Sequence, residues 1–251
     1  MSSKSLRGFY VFLVIFVVIA ETTFGQTIIP SVKIGNQEWM NENLSLVTFR
    51  NGDTIPLAKT NEEWEAAGEN AQPAWCYYEN KTENGTLFGK LYNWYAVNDQ
   101  RGLAPAGWHI ATDKEWKTLS DFIGGEKTAG KKLKSKNKWL EYKGKDVCNT
   151  CETWSTEYRA GNSCAACKDK RQTTGMFAGT GTDEFGFNAL PGGYRFGDGY
   201  FSKIGEFCGW WTSTDGAVHY TWARSVISKG KNLYRTFYDK EDGLFVRCVK
   251  D

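Results

Sequence analysis

Tyr220-Thr221-Trp222-Ala223-Arg224-Ser225-Val226-Ile227 is a run of aromatic and β-branched residues, and Leu233–Tyr238 and Leu244–Val249 repeat its character after turn residues at Lys229-Gly230 and Asp242-Gly243. Such residues suit a pleated, half-buried surface. Runs of this kind with short turn-forming spacers predict an antiparallel meander in the last third of the chain.

Working outward from that meander, helices are sparse. Thr60 and Glu63, and again Thr112 and Glu115, stand in capping-box spacing, so a short helix is predicted after each. The first carries Trp64 and stops near Gly68. In the second, Trp116, Leu119 and Ile123 recur on one helical face, and Gly124-Gly125 closes it. Val32–Leu44 reads as strand and turn, Asn51-Gly52-Asp53 as a turn, and Trp108–Ile110 as a short strand. Leu87–Val97 reads as a buried strand or a strand–helix junction.

The 251 residues carry 31 Lys+Arg against 29 Asp+Glu, a net charge of +2, which argues against a nucleic-acid partner held by bulk charge. Hydrophobic residues are 41% and charged residues 24%, a globular and not a disordered composition. Aromatics reach 15%, beside 27 Gly and 3 Met, which suits a loop-rich, aromatic-packed extracellular domain better than a helical bundle.

Lys4 and Arg7 precede the uncharged apolar run Phe9–Ala20, and Thr22, Thr23 and Gly25 follow it. That is the three-part pattern of a secretory signal peptide, with cleavage expected near Gly25–Gln26. A retained anchor is the alternative, but a spanning helix wants about 20 apolar residues and this run is shorter. Residues 26–251 hold no second apolar run. They are expected to form a single domain, secreted, periplasmic or at the cell surface, with no stable membrane span after cleavage. No internal repeat and no Pro- or Ser-rich linker divides them.

Export permits disulfides, and the chain has 7 Cys, an odd number. Cys148-x-x-Cys151 and Cys164-x-x-Cys167 match the paired knuckles of a four-thiolate site, for which structural zinc is the expected ion. Their intervening segment is polar and cannot form a core, so a metal would supply closure energy. Two disulfides are the competing arrangement, although bonding within one Cys-x-x-Cys is strained. The stretch at about 141–179 interrupts the surrounding pattern and reads as a Cys-rich insertion. The Lys-rich run from Gly130 to Lys145 reads as a solvated face, with an anionic-ligand patch as the alternative. His109 and His219 lack any accompanying nucleophile motif and are expected to be structural.

The ordered motifs Ile34-Gly35-Asn36-Gln37-Glu38-Trp39-Met40, Trp75-Cys76-Tyr77-Tyr78 and Gly89-Lys90-Leu91-Tyr92-Asn93-Trp94-Tyr95 are followed by Gly107-Trp108-His109. Phe185-Gly186-Phe187-Asn188-Ala189-Leu190-Pro191-Gly192-Gly193-Tyr194-Arg195, Trp211-Thr212-Ser213-Thr214 and Val246-Arg247-Cys248-Val249 complete the series. Together they resemble the Fibrobacter succinogenes major paralogous domain, a family of exported bacterial proteins of largely unassigned function. Through it the chain resembles the formylglycine-generating-enzyme branch of the C-type-lectin-like fold. That resemblance implies an α+β fold with small antiparallel sheets, two short capped helices and long loops anchored by aromatic residues.

The chain departs from both branches. It lacks the closely spaced redox cysteines upstream of the terminal Arg-Cys that the enzymes use. It also lacks the Glu-Pro-Asn or Gln-Pro-Asp loop and the Trp-Asn-Asp triplet of calcium-dependent lectins. Neither activity carries over. Cys76 and Cys248 lie in the family-like motifs and are expected to form a disulfide, worth about 2–4 kcal/mol, with Cys208 the odd thiol.

For a ligand surface the Gly-rich aromatic stretch stands out: Tyr200 and Trp210 as exposed rings, with Arg195 and Asp198 as polar neighbours. A buried, loop-anchoring role is the alternative for these rings. The expected function is a secreted, non-catalytic binding or adhesion domain for glycans or cell-surface polymers. The alternatives are an oxidative enzyme of the formylglycine-generating branch and a structural surface or matrix component.

Overall fold

A computed structural model describes residues 29–140, 142–143, 176–177 and 179–251. β1 (Ser31–Ile34) and β2 (Gln37–Met40) form a hairpin whose turn needs Gly35 at φ 62°. α1 (Asn61–Glu69), β3 (Trp75–Cys76), α2 (Thr82–Phe88), β4 (Leu91–Tyr92), α3 (Trp94–Val97) and β5 (Trp108–Ile110) follow. Next come α4 (Asp113–Phe122), α5 (Glu126–Leu133), β6 (Tyr142–Lys143) and β7 (Met176–Phe177). The rest is strand: β8 (Gly192–Arg195), β9 (Phe201–Ile204), β10 (Phe207–Trp211), β11 (Tyr220–Ile227), β12 (Tyr234–Asp239) and β13 (Cys248–Lys250).

Both predicted capping boxes form. Thr60 accepts from the Glu63 N–H and Thr112 from the Glu115 N–H, while each glutamate reaches back to its cap. On α4 the stripe Trp116, Leu119 and Ile123 is buried, as its spacing requires. α1 runs past Gly68 to Glu69, because Gly68 packs against Glu241 and does not break the helix.

The strands form a four-stranded sheet in the order β1-β2-β13-β5, a five-stranded sheet in the order β12-β11-β10-β8-β9, and the pairs β3-β4 and β6-β7. Small, mostly antiparallel sheets with a few short helices make this an α+β fold. More helices form than the two expected. α2, α3 and α5 are short and lack capping boxes. α5 is helical within the Lys-rich run because Ala129, Gly130 and Leu133 meet the core while Lys131 and Lys132 complement its C-terminal dipole.

The meander holds for two of its runs and not the third. β11 pairs antiparallel with β12 from Tyr220↔Asp239 to Ser225↔Tyr234. After Gly243 the chain leaves that pairing: Phe245 bridges Trp210, and β13 joins β2 and β5 in the other sheet. Leu244 to Val249 are all buried, so this run lies between sheets and cannot serve as an edge.

Two aromatic-rich cores result, one around Trp39, Trp64, Trp116 and Trp210, the other around Trp75, Tyr92, Trp94 and Trp211. Trp39, Trp116, Phe187 and Trp210 stack on one another with ring centroids 4.7–5.9 Å apart. The loops are tied to these cores by buried cations that donate to loop carbonyls. Arg247 donates to the carbonyls of Met40, Phe187 and Asn188, and Lys134 to those of Ile227, Ser228 and Gly230. An irregular backbone leaves carbonyls without ladder partners, and these side chains satisfy them.

Candidate functional site

The predicted aromatic loop divides into buried and exposed parts. Trp210 is fully buried, which corrects its assignment as a ligand-stacking ring. It lies on β10, between β11 and β8, and its Nε1 donates to Asn43 Oδ1 at 2.9 Å. Arg195 is buried as well, which corrects its assignment as a ligand contact. Its guanidinium donates to the carbonyls of Gly199, Ala58 and Thr60, between the rings of Trp64 and Phe201. It is a staple joining this loop to the cap of α1. Tyr200, 64% exposed, and Asp198 remain at the surface, where the Asp198 carboxylate accepts the Tyr200 N–H.

The more extended aromatic surface lies on β11 and β12, outside the residues singled out from sequence. Cross-strand partners share a sheet face. The register therefore sets Tyr220 beside Asp239, Trp222 beside Phe237, and Arg224 beside Arg235. The Arg224 end is covered by helices: Asp113 at the start of α4 accepts from both Arg224 and Arg235, and Glu126 of α5 accepts from Arg224. The other end is open. Tyr220 is 50% and Phe237 52% exposed. Trp222 and Phe237 stack at 3.8 Å, and the Arg235 guanidinium covers the other part of Trp222 at 3.1 Å. The signal for this row was present in the alternation of Tyr220 with Trp222, and of Arg235 with Phe237.

Asp239 is shared between this row and a neighbouring groove of about 330 Å³. The groove is lined by Glu65, Glu69, Asp198, Asp239, Glu241 and Asp242, with Phe196 and Gly197. No Lys or Arg lines it. Burial pushes the Asp242 carboxyl up to about 7, and the nearby Asp239 charge adds to the effect. Its carboxylate accepts the Gly197 N–H at 2.9 Å, and this bond and one from the Asp239 main chain oppose the shift without cancelling it.

Neither thiol of the expected Cys76–Cys248 disulfide is bonded; Cys76, Cys208 and Cys248 are free and buried. Cys76 packs in the first core and Cys248 in the second, so their side chains serve different clusters. Burial pushes all three thiols up to about 12, which leaves them protonated at neutral pH. Cys148, Cys151, Cys164 and Cys167 lie outside the described residues, as does the segment 1–25 read as a signal peptide. Among the described residues no group of His, Cys, Asp and Glu is arranged to hold a metal, and no helix is long and apolar enough to cross a membrane.

His109 does more than fill space. Its Nε2 meets Glu115 Oε1 and its Nδ1 meets Asp251 Oδ1, each at 2.7 Å. Partial burial opposes the ring's charge, but the bonds to Glu115 and Asp251 outweigh it and hold the pKa above the usual imidazole value. His219 is exposed, with its ring 6.5 Å from that of Tyr220.

Comparison with known proteins gives one family. The model described as Fibrobacter succinogenes major domain matches residues 32–250. No curated protein and no solved structure matches the chain.

Proposed function

The chain belongs to the Fibrobacter succinogenes major domain family, and we propose that it is an exported, non-catalytic module that binds glycans or cell-surface polymers. The observation that carries this reading is the pair of exposed rings Tyr220 and Phe237 on either side of the half-buried Trp222. An exposed aromatic face on a folded domain marks an interaction surface. The C–H face of a pyranose ring packs on such a face, and carboxylates beside it accept sugar hydroxyls. Asp239 and the adjoining acidic groove supply those acceptors. The same carboxylates repel polyanions, so neutral or amino-bearing polymers are the favoured ligands.

The proposal moves the ligand contacts of the loop to Tyr200 and Asp198, and adds the β11–β12 row to them. It includes a C-type-lectin-like relationship of the fold, supported by the short capped helices and the long, aromatic-anchored loops. It also includes a structural zinc held by Cys148, Cys151, Cys164 and Cys167, supported by their knuckle spacing. No observation favours thiol-based oxidative chemistry at Cys76, Cys208 or Cys248, whose thiols are buried and protonated.

Affinity electrophoresis through gels containing neutral, amino-bearing or anionic polysaccharides tests the reading. Retardation is expected in a neutral or amino-bearing gel. Phe237→Ala and Tyr220→Ala should each weaken it by about tenfold, or about 1.4 kcal/mol, with the circular dichroism spectrum unchanged. Absence of retardation in every gel, or retardation indifferent to both variants, refutes it.

A further inference from the structure

β12 ends the five-stranded sheet, and among the described residues it pairs only with β11. The Lys240 N–H donates to the His219 carbonyl. In an antiparallel strand the main-chain groups of every second residue face the same neighbour. Tyr238, Thr236 and Tyr234 therefore face β11, while the main-chain groups of Arg235, Phe237 and Asp239 face away from it, and of these the Arg235 and Phe237 groups have no main-chain partner among the described residues. The Asp239 carbonyl accordingly accepts from the Asp242 N–H and not from β11.

Natural edge strands are usually blunted by Pro, a bulge or an inward-pointing charge. β12 carries Thr236 and Phe237 at its centre instead, and its charges stand symmetrically about Phe237: Arg235 on one side, Asp239 on the other. Both are exposed. Among the described residues, Arg235 makes one hydrogen bond, from Nε to Asp113 at 2.8 Å, with its guanidinium stacked on Trp222, and the Asp239 carboxylate has no hydrogen bond or ion pair.

We propose that β12 is a self-association edge, through which two copies of the chain pair antiparallel about a two-fold axis at Phe237. In that register Phe237 faces Phe237 of the second copy, Arg235 faces its Asp239, and Asp239 faces its Arg235. Opposite charges and an aromatic pair directly across from each other are the stabilising cross-strand arrangement. A slip of two residues either way sets a charge against Phe237 and loses both ion pairs, so the register is specified. The contact is isologous and closes after two copies. It also joins the two Tyr220–Trp222–Phe237 rows into one face. The pairing itself does not depend on any glycan being bound.

Sedimentation velocity of the purified protein under reducing conditions, without polysaccharide, tests this. A concentration-dependent monomer–dimer equilibrium is expected. Asp239→Arg and Arg235→Asp should each weaken the dimer by about tenfold or more, because like charges then face each other. An equimolar mixture of the two variants should regain dimer, since every charge at the joint then meets its opposite. Circular dichroism establishes that each variant is folded, and if Arg235→Asp is not, Arg235→Gln replaces it, with weaker rescue expected. A protein monomeric at every concentration overturns the proposal, as does a dimer indifferent to both variants or variants that fail to recombine. A monomer that binds polysaccharide sinks this inference and leaves the glycan reading standing; a charge-dependent dimer that binds none does the reverse.

Discussion

Asp242 shows what a single residue costs in this fold. It is 7% exposed, has no cationic partner among the described residues, and its carboxyl is raised to about 7. A carboxylate whose folded pKa lies above its unfolded value of about 3.9 binds its proton more tightly in the native state. Stability therefore falls as pH rises from about 4 to about 7 and is level above that. Asp242→Asn keeps an acceptor for the Gly197 N–H and removes the charge. It should raise stability at pH 8 by roughly 1–3 kcal/mol and flatten the slope between pH 4 and 7. Urea unfolding at several pH values checks both. None of this was legible in sequence: Asp242-Gly243 looks like a solvated turn, and only the burial of Leu244–Val249 draws the turn inward. Arg195 taught the same lesson in reverse. Beside Tyr194 and Phe196 it resembled a ligand contact, but two of the three carbonyls it satisfies come from residues distant in sequence, Ala58 and Thr60.

At the scale of the element, α4 was the most legible part of the chain. Its cap, apolar stripe and terminating glycines all act within a few residues, so local sequence suffices to specify it. Its first turn then does a tertiary job. Thr112 fixes the Glu115 N–H at 3.2 Å, and the adjacent Asp113 bridges Arg224 and Arg235. Thr112→Ala should destabilise the protein by about 1 kcal/mol through loss of the cap, and Thr112→Ser should recover it. A lower urea midpoint at unchanged slope is the expected signature. α2 and α5 went unforeseen because neither has a capping box and each is held by packing, as Phe88 and Leu133 show by their burial, whereas β4 and α3 form the strand–helix junction read at Leu87–Val97. Tertiary contacts override weak local preference in helices this short.

The whole molecule is organised around two cores, and the chain on either side of the Cys-rich stretch is paired. β6 and β7 pair at Tyr142↔Phe177 and Lys143↔Met176, so the chain leaves and re-enters the body side by side. Replacing residues 144–175 with an Asn-Gly turn should therefore leave the body folded, its melting temperature within about 5 °C of the parent. The proposed zinc should then be found by elemental analysis in the parent, purified without chelator, and be absent from the shortened chain. Loss of cooperative unfolding in the shortened chain would show that the body needs the insertion. A zinc-free parent would remove the four-thiolate site.

The sequence by itself determined the family, the α+β class, both capping-box helices and the span of β11, because caps, alternation and ordered motifs act over short distances along the chain. It could not determine which aromatic rings are free. Trp210 and Phe237 both lie in aromatic, β-rich runs, yet the first is fully buried and the second half exposed. Sheet order decides between them, since β10 lies inside the five-stranded sheet and β12 forms its edge. Burial is a property of the neighbours a strand acquires, and those neighbours arrive from elsewhere in the chain only when it folds.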